Sequence, residues 1–341
     1  MDCMSDPLSV RAAFVRELGP TSNIVVDDLS IVGPGVNEVL VRVEAVCVNP
    51  VDTFVRSGGF DTALPLPLVL GRDLVGEVVR APSFSQFQPG DRVWANTLGH
   101  DGRQGSSSSL AVVGVDRLYR VPKDVSASDI VALAHPATTA ALAWFEHANL
   151  RKNMRVFVGG AGGNVGRAGV AIARWVGADV VASAGKNDLA HLEADGIAAI
   201  DYAAPDLAEQ ASADGLFDIV WDTSGHMAWS DISALTDIGA TVLVTAAGNP
   251  TQIDWRPLYT RDVTIASFVH SRASAHQMAR AASIVNRGAS EGWLVPNIAE
   301  FTTLDAARQV HERMESGQVR GRIVLRVYAS GSKTAAASDV E

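Results

Sequence analysis

An apolar run passes directly into a glycine cluster at Val156-Phe157-Val158-Gly159-Gly160-Ala161-Gly162-Gly163-Asn164-Val165-Gly166. A helical pattern follows, with Val165, Ala168, Ile172, Trp175 and Val176 on one face and Gly177 as its stop. Strand, glycine turn and helix in this order set a diphosphate on a helix N-terminus. Ala161, Gly163 and Gly166 form A-x-G-x-x-G, a variant of the dinucleotide fingerprint. A side chain at these positions would hold the backbone away from the phosphates or the helix away from the strand.

The chain around this turn has two textures. Residues 10 to about 125 are β-rich, with runs such as Val39–Val43 and Leu74–Val79 between Gly/Pro breaks and a turn at Gln88–Val93. The stretch Gly99–Ser109 is rich in glycine and serine and is expected to be an exposed loop. From about Ala127, helix and strand alternate. A helix is expected over Ser128–Ala148, and strands at Arg155–Val158, Asp179–Ser183, Ala198–Asp201, Asp218–Asp222, Ala240–Thr245 and Val263–Phe268. Such alternation implies right-handed crossovers and a doubly wound parallel sheet. Two further helical stretches precede a final β-run, Gly321–Val327, expected to return to the N-terminal β domain.

The 341 residues suffice for about two domains. A net charge of −10 disfavours nucleic acid or an anionic membrane as partner. Only two cysteines occur, Cys3 and Cys47, too few for a disulfide framework, so a cytoplasmic protein is expected. The first residues do not resemble a signal peptide, and no apolar run is long enough to cross a bilayer.

The second strand of the alternating region bears on the cofactor. An NAD site uses an acid at its end, about 20 residues past the glycines, to accept the ribose 2′-hydroxyl. Here the strand ends Ser183-Ala184-Gly185-Lys186, and Asp179 lies at its beginning. Lys186 sets a cation beside the expected 2′-phosphate, with Ser183 and Tyr202 as hydroxyl donors, so NADP(H) is favoured. The alternative is that Lys186 is a solvated loop lysine.

Several phrases resemble one family in the right order. Val48-Asn49-Pro50-Val51-Asp52-Thr53-Phe54-Val55-Arg56-Ser57-Gly58 resembles the "G-V-N-P-x-D-x-Y-x-R-x-G" segment of quinone oxidoreductases. Gly71-Arg72-Asp73-Leu74-Val75-Gly76-Glu77-Val78 resembles their "G-x-D-x-x-G-x-V", and Gly90-Asp91-Arg92-Val93 their "G-D-R-V" turn. The likeness covers roughly residues 10 to 328. It is to the zinc-free, zeta-crystallin-like branch of the medium-chain dehydrogenase/reductase superfamily. The resemblance implies an α/β protein with a GroES-like β-rich catalytic domain and a Rossmann doubly wound parallel-sheet domain. The implied parts are residues 1–127 (catalytic), 128–270 (Rossmann, NADPH-binding), 271–329 (return to the catalytic domain) and 330–341 (flexible tail). It also implies an active site in an interdomain cleft, and a homodimer.

No metal is expected. Aligned on Asp52, Asn49 stands where the zinc-dependent branch has its first cysteine, and Arg72 replaces a histidine ligand. His135 lies near the third ligand position, and the other histidines are expected at the surface or its boundary. Without a Lewis acid, hydride transfer to a quinone or to an α,β-unsaturated ketone demands least, because charge spreads onto a conjugated oxygen.

The resemblance brings Asn49 and Thr139 to the nicotinamide as catalytic candidates; the alternatives are a turn role for Asn49 and a helix-start hydroxyl for Thr139. Gly162, Gly163, Asn164, Val165 and Gly166 would hold the diphosphate, Ser183, Gly185, Lys186 and Tyr202 the 2′-phosphate end. Thr223, Gly248, Asn249, Phe268 and Val269 would border ribose and nicotinamide. Phe54 and Phe60, where relatives often carry tyrosines, would give an apolar pocket for a small hydrophobic acceptor; otherwise they are core residues. Arg320 and Arg322 would touch phosphate or be solvated. The expected activity is NADPH-dependent reduction of a quinone or an activated C=C bond. A zinc-free carbonyl reductase or alcohol dehydrogenase, and a non-enzymatic NADPH-binding protein, are the alternatives.

Overall fold

The computed structural model describes residues 7–246, 248 and 252–327. Asn249 and the tail from residue 328 lie outside them. The chain divides into two compact units: residues 1–135 with 296–341, and residues 136–295.

The first unit is mostly antiparallel sheet. Its elements begin with β1 (Pro7–Val15), β2 (Val25–Val32), β3 (Glu38–Cys47), α1 (Pro50–Arg56), β4 (Leu68–Val69) and β5 (Asp73–Arg80). They continue with β6 (Arg92–Ala95), β7 (Leu110–Gly114), β8 (Tyr119–Arg120) and the start of α2 (Ala127–Leu142). β1 pairs with β2 and β4 in a three-stranded sheet. Alternating apolar residues of β3, β5 and β6, among them Val39, Val41, Val43, Leu74 and Val93, form the core. Each is effectively inaccessible to water, as period-two patterning requires.

Gly99–Ser109 is not an exposed loop. Ser106, Ser107 and Ser108 are buried, and the segment makes sheet-like backbone bonds to Ala13 and Arg11 on one side and to Leu70 and Gly71 on the other. A Cβ at Gly105 would fall 2.1 Å from the Val69 carbonyl oxygen. Small residues are there to permit close backbone approach, not to make a solvated loop.

The second unit holds a π-helical turn (Ala143–His147), β9 (Arg155–Gly159), α3 (Asn164–Val176), β10 (Asp179–Ala184), α4 (Lys186–Ala194), β11 (Ala198–Asp201) and α5 (Leu207–Ala211). Then follow β12 (Phe217–Asp222), α6 (Trp229–Leu235), β13 (Thr236–Val244), α7 (Arg256–Tyr259), β14 (Thr264–Ser267) and α8 (Ala275–Glu291). The six strands form one parallel sheet in the order β11-β10-β9-β12-β13-β14. This is the doubly wound order whose switch point, between β9 and β12, opens a crevice at the strand C-termini. Phe157, Phe217, Val220, Ile232, Leu235 and Val242 make the core on one face.

The helix after the glycine turn buries a different face from the one expected. Gly166, Gly169, Val170 and Ala173 join Ala168 and Ile172 inside, whereas Trp175 is 36% exposed and stacks on Trp293 at 5.0 Å. Gly169 allows this rotation, because a Cβ there would meet the Trp221 ring at 2.6 Å. Gly177 ends the helix at φ +88°, the left-handed stop that favours glycine.

After the second unit come β15 (Ile298–Thr303), α9 (Ala307–Glu315) and β16 (Arg322–Arg326). β15 has a half-buried alternating pattern and was not expected from the sequence. It runs parallel to β16, and β16 is antiparallel to β3, so a seven-stranded sheet joins both ends of the chain.

Candidate functional site

At the C-terminal ends of β9 and β10 the backbone is drawn into a tight cradle. Gly160 has φ +76°, and a Cβ there would meet Thr223 Oγ1 at 2.7 Å. A Cβ at Gly166 would stand 2.4 Å from the Gly160 carbonyl oxygen. Gly163 is the uncapped N-cap of α3, with Asn164, Val165 and Gly166 as the first turn. The helix therefore presents amide dipoles without a side chain in front of them, which suits a diphosphate.

Neighbouring groups brace this turn. Ala161 N–H donates to the Ser183 carbonyl at 2.8 Å, fixing the turn to β10. Thr223 Oγ1 donates to the carbonyl of Gly159 at 2.7 Å. Arg167 Nε donates to the Gly162 carbonyl at 3.1 Å, and its Nη2 pairs with Asp188 at 2.8 Å. Neither Arg167 nor Asp188 was singled out from sequence, because their meeting depends on α3 and α4 lying side by side.

The loop after β12 is organised by Asp222. Its carboxylate is nearly inaccessible and accepts from the N–H groups of Ser224, Gly225 and Met227 and from Ser224 Oγ. Gly225 has φ +74°, and a Cβ at Gly248 would fall 1.8 Å from the Gly225 carbonyl oxygen. The two loops thus touch backbone to backbone.

Further along the same edge, a cavity of about 540 Å³ is lined by Leu142, His147, Val244, Phe268, Val269 and Arg272 among others. Phe268 and His147 stack at 4.3 Å with 10° between their planes. Burial holds the His147 imidazole below its usual pKa. Sequence reading found Phe268 and Val269 but not His147, whose position follows from the π-helical turn.

Thr139 lies in the interior of α2, not at its start, and is 8% exposed. The adjacent Thr138 shares a 2.8 Å hydrogen bond with His270 Nε2. His270, His100 and His311 are all buried, so these three are not surface or boundary residues.

At the second-strand end, Ser183 is 1% exposed and its Oγ has no hydrogen-bond partner. Gly185 caps α4, and a Cβ on it would press the Tyr202 ring at 3.2 Å. Tyr202 is itself largely exposed. Lys186 is the first residue of α4, with its side chain 84% exposed. The sheet register adds an acid that the sequence reading did not consider. Ala184 sits opposite Asp201, whose Oδ2 is 3.9 Å from Lys186 Nζ.

The first unit contains a separate polar cluster, fully enclosed. Asn49 donates from Nδ2 to Asp73 Oδ2 at 2.8 Å and to Asp52 Oδ2 at 3.2 Å. Its Oδ1 accepts from Arg322 Nη1 at 2.8 Å, and Arg322 Nη2 reaches Asp73 Oδ2 at 3.2 Å. Asn49 is completely buried, and its amide is bonded to Asp73, Asp52 and Arg322, so it positions this cluster. Arg322 is 2% exposed and therefore not solvated; the cluster takes its Nη1 and Nη2, while its buried Nε has no hydrogen-bond partner. Burial pushes the Asp73 carboxyl up to about 8, overcoming the opposing pull of Arg322. Arg322 and the Asn49 amide both donate to Asp73 Oδ2, which favours the ionised form and opposes the effect of burial. Burial also pushes the Cys47 thiol up to about 11.

This donor set does not suit zinc. The Asp52 and Asp73 carboxylates are engaged by the Asn49 amide and by the Arg72 and Arg322 guanidinium groups, His135 Nδ1 stands 3.9 Å from Asp73 Oδ1, and the nearby thiol keeps its proton. Among the described residues, no group of three or more His, Cys, Asp or Glu side chains is arranged to hold a metal ion.

Phe54 is half exposed on α1 and meets Phe60 edge to face at 6.4 Å. Phe60 in turn meets His100 at 5.8 Å and lies under the Arg72 guanidinium at 5.6 Å. The pair therefore divides: Phe60 packs against the core and Phe54 faces outward.

Comparison with known proteins agrees with this architecture. The alcohol dehydrogenase GroES-like domain family matches residues 35–127, and the zinc-binding dehydrogenase family matches residues 192–325. The chain belongs to the medium-chain dehydrogenase/reductase superfamily. It is 28% identical to mouse (Mus musculus) quinone oxidoreductase over 332 residues, covering 93% of this chain and 97% of the relative. The crystal structure of an NAD-dependent alcohol dehydrogenase superposes with a TM-score of 0.83 at 27% identity, over 93% of this chain and all of the other. An alcohol dehydrogenase superfamily protein from Novosphingobium aromaticivorans gives 0.84 at 25% identity, over 94% and 100%. As a superfamily member, the chain is an NAD(P)-dependent oxidoreductase. Among the described residues, no helix is long and apolar enough to cross a membrane.

Proposed function

We propose that this protein is an NADPH-dependent reductase that delivers hydride to a quinone or to the β-carbon of an α,β-unsaturated carbonyl, without zinc. The observation that carries the reading is that Asn49 and Arg72, at positions where the zinc-dependent branch has metal ligands, are buried, with Asn49 bonded to Asp73 and Arg322. A conjugated acceptor spreads the arriving charge, so hydrogen-bond donors suffice. Likeness to mouse quinone oxidoreductase over nearly the whole length supports the acceptor class.

Bound NADPH supplies the hydride. The amides of residues 162–166 hold its diphosphate, and Lys186 and Tyr202, with Ser183 and Gly185 behind them, receive the 2′-phosphate. Thr223 fixes the glycine turn, and Gly248 keeps the neighbouring loop close; Asn249 is assigned to the ribose by resemblance. Phe268 and Val269 border the nicotinamide. Thr139 is assigned to the nicotinamide by resemblance, Asn49 positions the cluster, and Phe54 and Phe60 favour a flat, apolar acceptor. The proton comes from water. The working form is a cytoplasmic homodimer.

The test is NADPH oxidation with a small ortho-quinone and an enone, with and without a chelator. Turnover unaffected by the chelator is expected; none across such acceptors, despite NADPH binding, overturns the reading. A second reading, NAD-dependent alcohol oxidation, draws on the likeness to the solved NAD-dependent alcohol dehydrogenase and on the carboxylate of Asp201 beside Lys186. Alcohol-dependent reduction of NAD⁺ would establish it.

A further inference from the structure

We propose that Asp201 competes with the 2′-phosphate of the cofactor for Lys186, and so tempers a preference for NADPH over NADH. The inference rests on the NADPH reading above and assigns a specificity role to a residue outside the glycine turn.

The argument begins with an unfavourable placement. Lys186 is the first residue of a nine-residue helix, where the amide dipole repels a cation. A nearby carboxylate offsets part of this. Asp188, in the same turn, is already paired with Arg167 at 2.8 Å. The remaining carboxylate is Asp201, 3.9 Å from Lys186 Nζ and brought there by the pairing of Ala184 with Asp201. The carboxylate is well anchored: its Oδ1 accepts from Ala203 N–H at 3.0 Å, and its side chain is only 21% exposed. Lys186 is the mobile partner, at 84% exposure.

An ion pair that is long and exposed on one side is weak, and a phosphate dianion can displace it. A second polar group at the same strand end lacks a partner: Ser183 Oγ, which is 1% exposed. A 2′-phosphate arriving here would gain Lys186 only by drawing it away from Asp201. A ribose 2′-hydroxyl has no need of that charge and leaves the pair intact.

Binding of adenosine 2′,5′-bisphosphate and of 5′-AMP, followed by calorimetry, separates the 2′-phosphate from all hydride chemistry. The variants are Asp201→Asn, Lys186→Ala and the double substitution. Asparagine keeps an oxygen for Ala203 N–H, and 5′-AMP binding reports whether each variant is folded. Asp201→Asn is expected to tighten the bisphosphate about threefold to tenfold, as an exposed charge contact allows, with 5′-AMP changing less than about twofold. Lys186→Ala should weaken the bisphosphate alone, and in that background Asp201→Asn should gain much less. If Lys186→Ala weakens the bisphosphate but Asp201→Asn does not tighten it, this inference fails and the NADPH reading stands. An equal gain with and without Lys186 also overturns the competition. If Lys186→Ala leaves the bisphosphate unaffected, the NADPH reading fails with it.

Discussion

Arg322 donates a 2.8 Å hydrogen bond to the side-chain oxygen of Asn49, although the two residues stand 273 positions apart. The bond ties the first turn after β3 to the closing strand, and both side chains are buried. A buried amide or carboxyl that loses a charged donor retains its desolvation cost. Arg322→Met is therefore expected to lower unfolding stability by about 3 kcal/mol, measured by urea denaturation. Adding Asp73→Asn should recover part of the loss, because the two residues share a contact at 3.2 Å.

Asp73 should also shape the alkaline side of the stability profile. Its carboxyl is pushed up to about 8 in the fold, chiefly by burial, from 3.8 for a free side chain. Between those values the folded state keeps a proton that the unfolded chain has released. This contribution is thus fully present below about pH 4 and is lost as pH rises through 8. Urea midpoints from pH 6 to 9 are expected to fall less in Asp73→Asn than in the parent.

Much of this was legible in the sequence, for reasons that separate by residue. The parallel strands were readable because β-branched runs such as Val156-Phe157-Val158 end at glycines, and the buried strands of such sheets are continuously apolar. Gly177 was readable as a helix stop because few other residues accept its φ. Arg322 was not readable. Its burial depends on Asn49 and Asp73, which only the return of β16 to β3 supplies. Asp201 was missed because the acid was sought along β10, whereas register with Ala184 brings one across from β11. Ser106–Ser108 misled because small polar residues serve solvated loops and close backbone packing alike.

His311 contributes on the acid side. It is 1% exposed on α9, and burial, aided by the Arg56 charge, holds its imidazole down at about 4. The unfolded chain takes up this proton near pH 6.5 and the folded chain does not. Stability from this group is therefore present above 6.5 and lost as pH falls toward 4. A shift of this size corresponds to about 3 kcal/mol at most. His311→Gln should flatten the decline in urea midpoint between pH 6.5 and 4.5, whatever its effect on stability at neutral pH.

Gly166 tests the cradle itself. A Cβ there would lie 2.4 Å from the Gly160 carbonyl oxygen and 2.7 Å from Ala161 Cα, both backbone atoms that cannot swing aside. Gly166→Ala must therefore push the start of α3 away from the turn and move its amides off the diphosphate. The expected outcome is at least about tenfold weaker NADPH binding, by fluorescence titration, since small misplacements of positioning groups carry large costs. Gly90→Ala is the control: φ there is +92°, but a Cβ would meet nothing within 4 Å, and the residue lies in the first unit. It should lower stability through backbone strain while leaving NADPH affinity within about twofold of the parent. Equal losses of affinity in the two variants would mean that weakened folding, not the geometry of the turn, accounts for the effect of Gly166→Ala.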